Sequence, residues 1–234
     1  MANVSGNAYA LTVLSPIKEG LVAGKEIAYA DAVRDRLYDW NELDNSPMAK
    51  VPQTYLCRYF VLDDVYVQSL PSGSYPDNRY DWSPYITDGK RRGSLPAEDR
   101  LQSRYLVFSS NFHAGPNADL DGYLHNMWDA ISDDIREVWG YCYGFDRVSS
   151  AATFAAYIKK CQLETTLFFV GSNDDPLPEQ LKALFLKQEF ARFAATNQGL
   201  PAAELRKNYN EFITRVAPED LNGPSWSPGQ YKFD

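Results

Sequence analysis

An apolar strand pattern running straight into a capped amphipathic helix, over residues 104–139, constrains the fold more than any other part of this chain. RYLVFSS opens the segment, and the polar turn Ser109-Ser110-Asn111-Phe112-His113-Ala114-Gly115 closes the strand. Leu120, Leu124, Met127, Trp128, Ile131, Ile135, Val138 and Trp139 then recur at offsets of three and four, the period of a helix with one buried face. Asn117 or Asp119 is placed to cap that helix, Asp121 lies in its first turn, and Gly140 and Gly144 close it. Backbone N–H groups and side chains converge where a strand feeds a helix, so such a junction is a natural place for chemistry.

The rest of the chain extends this unit. A short strand pattern at 9–17 is stopped by Ser15-Pro16, and a helical pattern follows at 26–40, with Ala30, Val33, Leu37 and Trp40 on one face. TYLCRYFVL at 54–62 is nearly continuous in apolar residues and reads as a strand covered on both faces. A helix near 151–160 leads to a fourth strand, TTLFFVG at 165–171, and two more helical patterns span 178–196 and 202–216. Between the second and third strands, 66–102 is rich in Pro, Gly and Tyr and reads as an insertion that packs on the body or on a neighbouring subunit. The tail 217–234 keeps Trp226, Tyr231 and Phe233 and reads as an extended arm that docks.

The order strand, helix, strand, strand, helix, strand is the ferredoxin-like βαββαβ unit, an α+β fold with helices on one face of an antiparallel sheet. We therefore expect a single domain over 1–234, with a ferredoxin-like core at 7–171, C-terminal helices at 178–216 and the tail at 217–234. The uncovered sheet face must be buried somewhere. Two such sheets meeting face to face make a dimeric α/β barrel with a ligand cavity between them, so a homo-oligomer is expected.

A formal charge of −8 argues against nucleic-acid binding, which needs clustered Lys and Arg; the one basic cluster, Lys90-Arg91-Arg92, sits among turn residues. The start of the chain lacks the basic n-region of a signal peptide, and no apolar run approaches the roughly 20 residues of a membrane span. Cys57, Cys142 and Cys161 form no CxxC pair, which points to a reducing, cytoplasmic setting.

Three residues are candidates for chemistry. His113, in the turn after the third strand, is an acid/base or ligand-orienting group at a pocket rim, or else a plain turn residue. Asn111 beside it can polarise a carbonyl. Arg58 lies inside an apolar strand, where a guanidinium needs a carboxylate such as Asp63 or Asp64, or else an anionic ligand. His125 reads as a helix-surface residue paired with Asp121. Asn117, Asp119 and Asp121 mimic the start of a calcium loop, but Trp128 stands where its bidentate glutamate is needed, and helix capping explains them better. Zinc and iron spacings, phosphate loops and the GxSxG elbow are absent from the sequence, so no metal is assigned. Haem would have to be held by His113 or His125 without a ligand motif. Cys142 follows a helix C-terminus, which does not lower a thiol pKa, and packing is its better reading.

YLCRYFVLDD at 55–64, YLVFSSNF at 105–112, DLDGYL at 119–124 and WGYCYGF at 139–145 together carry a resemblance. The chain resembles a bacterial family of ferredoxin-like, dimeric α/β-barrel proteins, in the superfamily of the dye-decolourising peroxidases and chlorite dismutases. The resemblance implies the barrel dimer and suggests oxidative chemistry, with a peroxide or lipid-derived substrate. The chain departs from the family pattern at two positions: Tyr55 stands where a histidine is common, and His113 where an aspartate follows the Asn-Phe pair. The aspartate and arginine of the peroxidases' haem site have no counterpart, so haem peroxidase activity does not carry over.

Two functions follow as expectations. The first is a cytoplasmic enzyme acting on a small, partly hydrophobic molecule in an aromatic-lined cavity. Arg58 would orient an anionic or carbonyl group there, and Asn111 and His113 would polarise it and move a proton. The second is a non-catalytic binding or assembly protein that docks a partner through the insertion and the tail.

Overall fold

The computed structural model describes residues 3–63, 101, 103–171, 174–217 and 219–230. The insertion at 66–102, apart from Leu101, and the last aromatics of the tail, Tyr231 and Phe233, lie outside the described residues, as do Asp64 and the Lys90-Arg91-Arg92 cluster. The fold is mixed α+β. Strands β1 (Val4–Ser5), β2 (Ala8–Pro16), β3 (Thr54–Leu62) and β4 (Tyr105–His113) form an open antiparallel sheet in the order β1-β2-β4-β3. Helices α1 (Tyr29–Glu42), α2 (Leu120–Trp139) and α3 (Ala151–Cys161) accompany it, and α4 (Leu177–Thr196) and α5 (Ala202–Val216) follow. Among the described residues no helix is long and apolar enough to cross a membrane.

Strand alternation decides which side chains meet the helices. Register pairs Tyr9 with Phe112, Leu11 with Ser110, Val13 with Phe108 and Ser15 with Leu106, and all eight are buried. The six apolar ones form one core with Val33 and Trp40 of α1, the apolar stripe of α2, and Phe154 and Ile158 of α3. Leu124, Met127, Ile135, Val138 and Trp139 in that stripe are fully buried, so the helical period read in the sequence is the packed face. Asp119 caps α2, its Oδ1 accepting from the Gly122 N–H at 2.8 Å. The Trp139 ring meets Tyr59, Phe108 and Phe154 edge-on, and its indole N–H donates to Ser15 Oγ at 3.1 Å. The one indole polar atom therefore enters the core with a partner, as a buried donor requires.

Helix α1 begins at Tyr29 rather than near residue 26, because Leu21 bridges Ala28 and Tyr29 N–H bonds the Gly20 carbonyl. The strand expected at 165–171 does not form. The chain bridges β2 once, Val13 to Gln162, and Leu163 N–H reaches the Thr12 carbonyl at 2.8 Å. Beyond that point β1 already holds the edge of β2, pairing Val4 with Tyr9 and Ser5 with Ala8. The segment bonds side chains instead: Thr165 N–H to Asn3 Oδ1 and Val170 N–H to Ser5 Oγ. With no ladder to fix their alternation, Leu167 and Phe169 stand 80% and 77% exposed. Strand β3 is likewise covered on one face only, with Cys57, Tyr59 and Val61 packed on the core and Leu56, Arg58 and Phe60 pointing away.

Burial of ionisable groups makes the fold alkali-sensitive. It pushes the Cys57 thiol up to about 11 and the Cys142 thiol and Tyr123 hydroxyl to about 12. In the unfolded chain the same groups ionise near 9.0 and 10.0. The unfolded state therefore releases protons first as pH rises, and stability falls between about pH 9 and 12. Thermal melts should show a flat Tm between about pH 7 and 8.5 and a steady fall above it. Cys142→Ala should flatten the part of that fall that starts near 9, and an unchanged profile would refute the assignment.

Candidate functional site

The three residues singled out in the sequence share one face of the sheet. Register places Ala10 and Leu56 on either side of Asn111, Thr12 and Arg58 on either side of Ser109, and Ala8 beside His113. These are the positions that alternate with the core-facing ones, so Arg58, Asn111 and His113 all lie on the side away from α1–α3. Along β4, Asn111 and His113 lie two and four residues beyond the Arg58 pairing, or roughly 7 and 14 Å in strand rise. Leu56 and Phe60, which flank Arg58 on the same face, are 50% and 47% exposed.

The buried-charge expectation for Arg58 is corrected. Its side chain is exposed because β3 is an edge strand covered on one face, and among the described residues it has no ion-pair partner. Asp63, the expected partner, pairs with Arg34 of α1 at 2.5 Å and with Arg104 at 3.1 Å. The Asp121–His125 pair does not form either. Asp121 reaches across to Lys159 of α3 at 2.7 Å, and His125 stands half-buried on α2.

At the far end of the sheet the structure adds Tyr55, which the family resemblance marks as a departure but which was not among the candidate site residues. A register shift between Thr54 and Leu56 leaves Tyr55 as an extra, unpaired residue in β3. Such a bulge re-aims its side chain. The Tyr55 hydroxyl lies 3.1 Å from His113 Nδ1 and bonds the backbone carbonyls of Asp174 and Asp175 at 3.0 and 2.7 Å. His113 Nδ1 is 2.8 Å from the same Asp174 carbonyl. A carbonyl only accepts, so the Asp174 contact calls for a proton on Nδ1. Nε2 has no hydrogen bond among the described residues. Burial, followed by the Asp174 and Asp175 carboxylates, pushes the Tyr55 hydroxyl up to about 12, so at neutral pH it stays a donor.

The loop that carries these carbonyls is pinned from below. Asn7 N–H donates to Asp174 Oδ2 at 2.5 Å, and Leu177 N–H donates to Gln53 Oε1 at 2.9 Å. Gln53 and Gly6 both hold positive φ, 64° and 60°, and a Cβ at Gly6 would overlap the Asp174 carboxylate. The arrangement orients one imidazole nitrogen and joins the start of α4 to the sheet end. Tyr55→Phe should cost about 0.5–1.5 kcal/mol, a single hydrogen bond's worth, and lower Tm by about 2–4 °C. A Tm equal to wild type would show that the hydroxyl is not held.

Two clefts lie elsewhere. One of about 450 Å³ sits at the opposite end of the strands, between Ile17, Lys18, Tyr29, Asp63, Ser103 and Arg104. Its bases are engaged, Lys18 with the Gly140 carbonyl at 3.0 Å and Arg104 with Asp63. The other, of about 630 Å³, runs between α4 and α5, where Glu189 bonds Arg192 and Arg215 at 3.0 and 3.1 Å. Neither contains Arg58, Asn111 or His113.

No protein-family model matches the chain, and neither a curated protein nor a solved structure matches it significantly.

Proposed function

We propose that the chain is a ferredoxin-like subunit whose sheet face away from α1–α3 meets a second copy, as in the dimeric α/β barrels it resembles. The enclosed space then binds a small, partly apolar molecule with an anionic or carbonyl group. The observation that carries this reading is the placement of Arg58, Asn111 and His113 on the sheet face away from α1–α3, beside exposed Leu56 and Phe60. The strand order supports the fold half, because β2, β4 and β3 take the positions of the first, third and second strands of a βαββαβ unit. The Gln162 bridge starts the next segment on the fourth position.

In this reading Arg58 clamps the charged or carbonyl end, since an unpaired guanidinium holds a carboxylate through two parallel bonds. The Asn111 amide adds a donor, and His113 Nε2, with its tautomer set by the Asp174 carbonyl, accepts a proton. Tyr55 and His113, where the chain departs from the family pattern, contact each other, so we read the pair as altered together. Oxidative chemistry rests on the resemblance alone. The rival reading, an assembly protein without a substrate, draws on the same exposed Leu56 and Phe60.

The test combines mass with ligand binding. Sedimentation equilibrium should give a dimer, and Phe60→Glu should convert it to a monomer with unchanged circular dichroism. Octanoate should raise Tm in wild type and not in Arg58→Ala, while octanol should act equally on both. A dimer that ignores octanoate would favour the assembly reading, and a wild-type monomer would overturn the proposal. Where turnover of a substrate is found, His113→Ala should abolish it and leave the fold intact; unchanged turnover would remove His113 from the mechanism.

A further inference from the structure

Three chain segments meet at His113, and two residues tie them together. Gln53, just ahead of β3, accepts the His113 N–H on its backbone carbonyl at 3.0 Å and the Leu177 N–H on its side-chain Oε1 at 2.9 Å. Asn7, just ahead of β2, repeats the arrangement from the other side of β4. Its carbonyl accepts the Ala114 and Gly115 N–H groups at 2.8 and 3.1 Å, and its own N–H donates to Asp174 Oδ2. Each residue therefore spans from the backbone that carries the imidazole to the 174–177 segment that faces it. Gln53 does so at φ 64°, a conformation that disfavours a side-chain-bearing residue and persists only where the surroundings over-determine it. Pro176 gives α4 no side-chain cap, so the Gln53 amide oxygen also serves the first turn of that helix.

Proton count decides the roles at the ring. The Tyr55 hydroxyl has one proton to give, and the Asp175 carbonyl at 2.7 Å is its nearest acceptor, ahead of the Asp174 carbonyl at 3.0 Å and Nδ1 at 3.1 Å. The Asp174 carbonyl stands 2.8 Å from Nδ1, where an oxygen lone pair facing a bare nitrogen lone pair is repulsive. A proton on Nδ1 removes that conflict. The hydroxyl proton then goes to the carbonyls, and the hydroxyl oxygen turns a lone pair toward the ring. The Gln180 amide donates to the same Asp175 carbonyl at 2.8 Å, which holds that acceptor in place from α4.

We infer that Gln53 and Tyr55 are positioning residues for His113: with the Asp174 carbonyl they hold its neutral ring in the Nδ1–H form, which presents Nε2 to a ligand as the accepting nitrogen. The inference rests on the reading of His113 as the proton acceptor of the site, and adds the residues that prepare it. So prepared, Nε2 suits a ligand that brings an O–H or N–H to it, and not one that brings a second acceptor.

Imidazole nitrogen-15 spectra of the full-length chain at about pH 8, above the ordinary titration range of histidine, read the tautomer directly and need no ligand. The chain has two histidines, and His125→Asn leaves His113 as the single ring. His113 should be mainly Nδ1–H. Tyr55→Phe and Gln53→Ala should each lower the ratio of Nδ1–H to Nε2–H at least threefold with circular dichroism unchanged. Gln53→Glu keeps an Oε acceptor for Leu177 and should restore most of that ratio. A merely structural contact would lower Tm and leave the ratio where it was, and such a result from either variant removes that residue from the role. A wild-type ring that is not mainly Nδ1–H overturns the inference outright. The readout is independent of the dimer and of octanoate. An Nδ1–H ring that responds to both variants, in a chain that ignores octanoate, supports the positioning role and counts against the ligand reading; an Nε2–H ring in a dimer that binds octanoate does the reverse.

Discussion

Trp139→Ala is expected to lower stability by about 3–5 kcal/mol and Tm by about 10 °C, one of the two largest effects anticipated. Three independent contributions converge on this ring. It is fully buried at the end of α2, so truncation opens a void among rings that have no room to collapse. It meets Tyr59 of β3, Phe108 of β4 and Phe154 of α3, so one side chain ties the sheet to two helices. Its N–H also satisfies Ser15 Oγ, which is fully buried on β2 and would be left without that donor. Urea titration of wild type and variant gives the difference directly. A loss under about 1.5 kcal/mol would mean that the core repacks around the gap, against the rigid arrangement described above. Trp139→Phe should recover more than half of the loss, because it restores ring area without the indole donor.

Gly6→Ala is the second large effect, and it separates the anchor of α4 from the core. Gly6 holds φ at 60°, which costs a side-chain-bearing residue about 1 kcal/mol. The added Cβ also overlaps the Asp174 carboxylate, which has to leave the Asn7 N–H. That charge-assisted bond is worth about 1.5–3 kcal/mol, and losing it frees the loop whose carbonyls hold Tyr55 and His113. The expected global loss is about 2–4 kcal/mol. Hydrogen exchange should accelerate at 174–180 well before it does in β2 or β4. Equal acceleration everywhere would show that the anchor is part of the core rather than a separate attachment. Asp174→Asn is the companion variant. It should weaken the Asn7 bond without the backbone strain, and so produce a smaller shift at the same amides.

Helix α2 was legible because its signal is local. A 20-residue amphipathic period and an aspartate cap need no distant partner to be read. The two C-terminal helices were legible for the same reason, with Pro178 and Pro201 marking their starts. The segment 165–171 was misread because strand propensity is a statement about fitting a sheet edge, and the edge it would have taken is held by Val4 and Ser5. Val4 and Ser5 outweigh a seven-residue strand pattern because the hairpin they form with β2 closes through a tight turn at Gly6-Asn7.

The site divides along the same line. His113 and Asn111 stood out because Ser109–Gly115 reads locally as a polar turn, but pairing with β2 carries β4 on through His113, so both residues lie on the strand. Tyr55 did not stand out, since a one-residue bulge leaves no mark in an alternating apolar run. Arg58 was placed on a strand correctly, and its burial was misjudged because TYLCRYFVL alone cannot tell an edge strand from a central one.

Periodicity and capping, which act over a few residues, determined by themselves the helices and three of the strands. Only the tertiary structure decided that β4 runs on through Asn111 and His113, that register sets them on one face with Arg58 and the exposed Leu56 and Phe60, that Tyr55 and the Asp174 carbonyl contact His113, and that α4 and α5 leave an apolar row exposed. Those outcomes depend on which backbone groups are already paired when a segment arrives, and pairing at a distance is not written in local sequence.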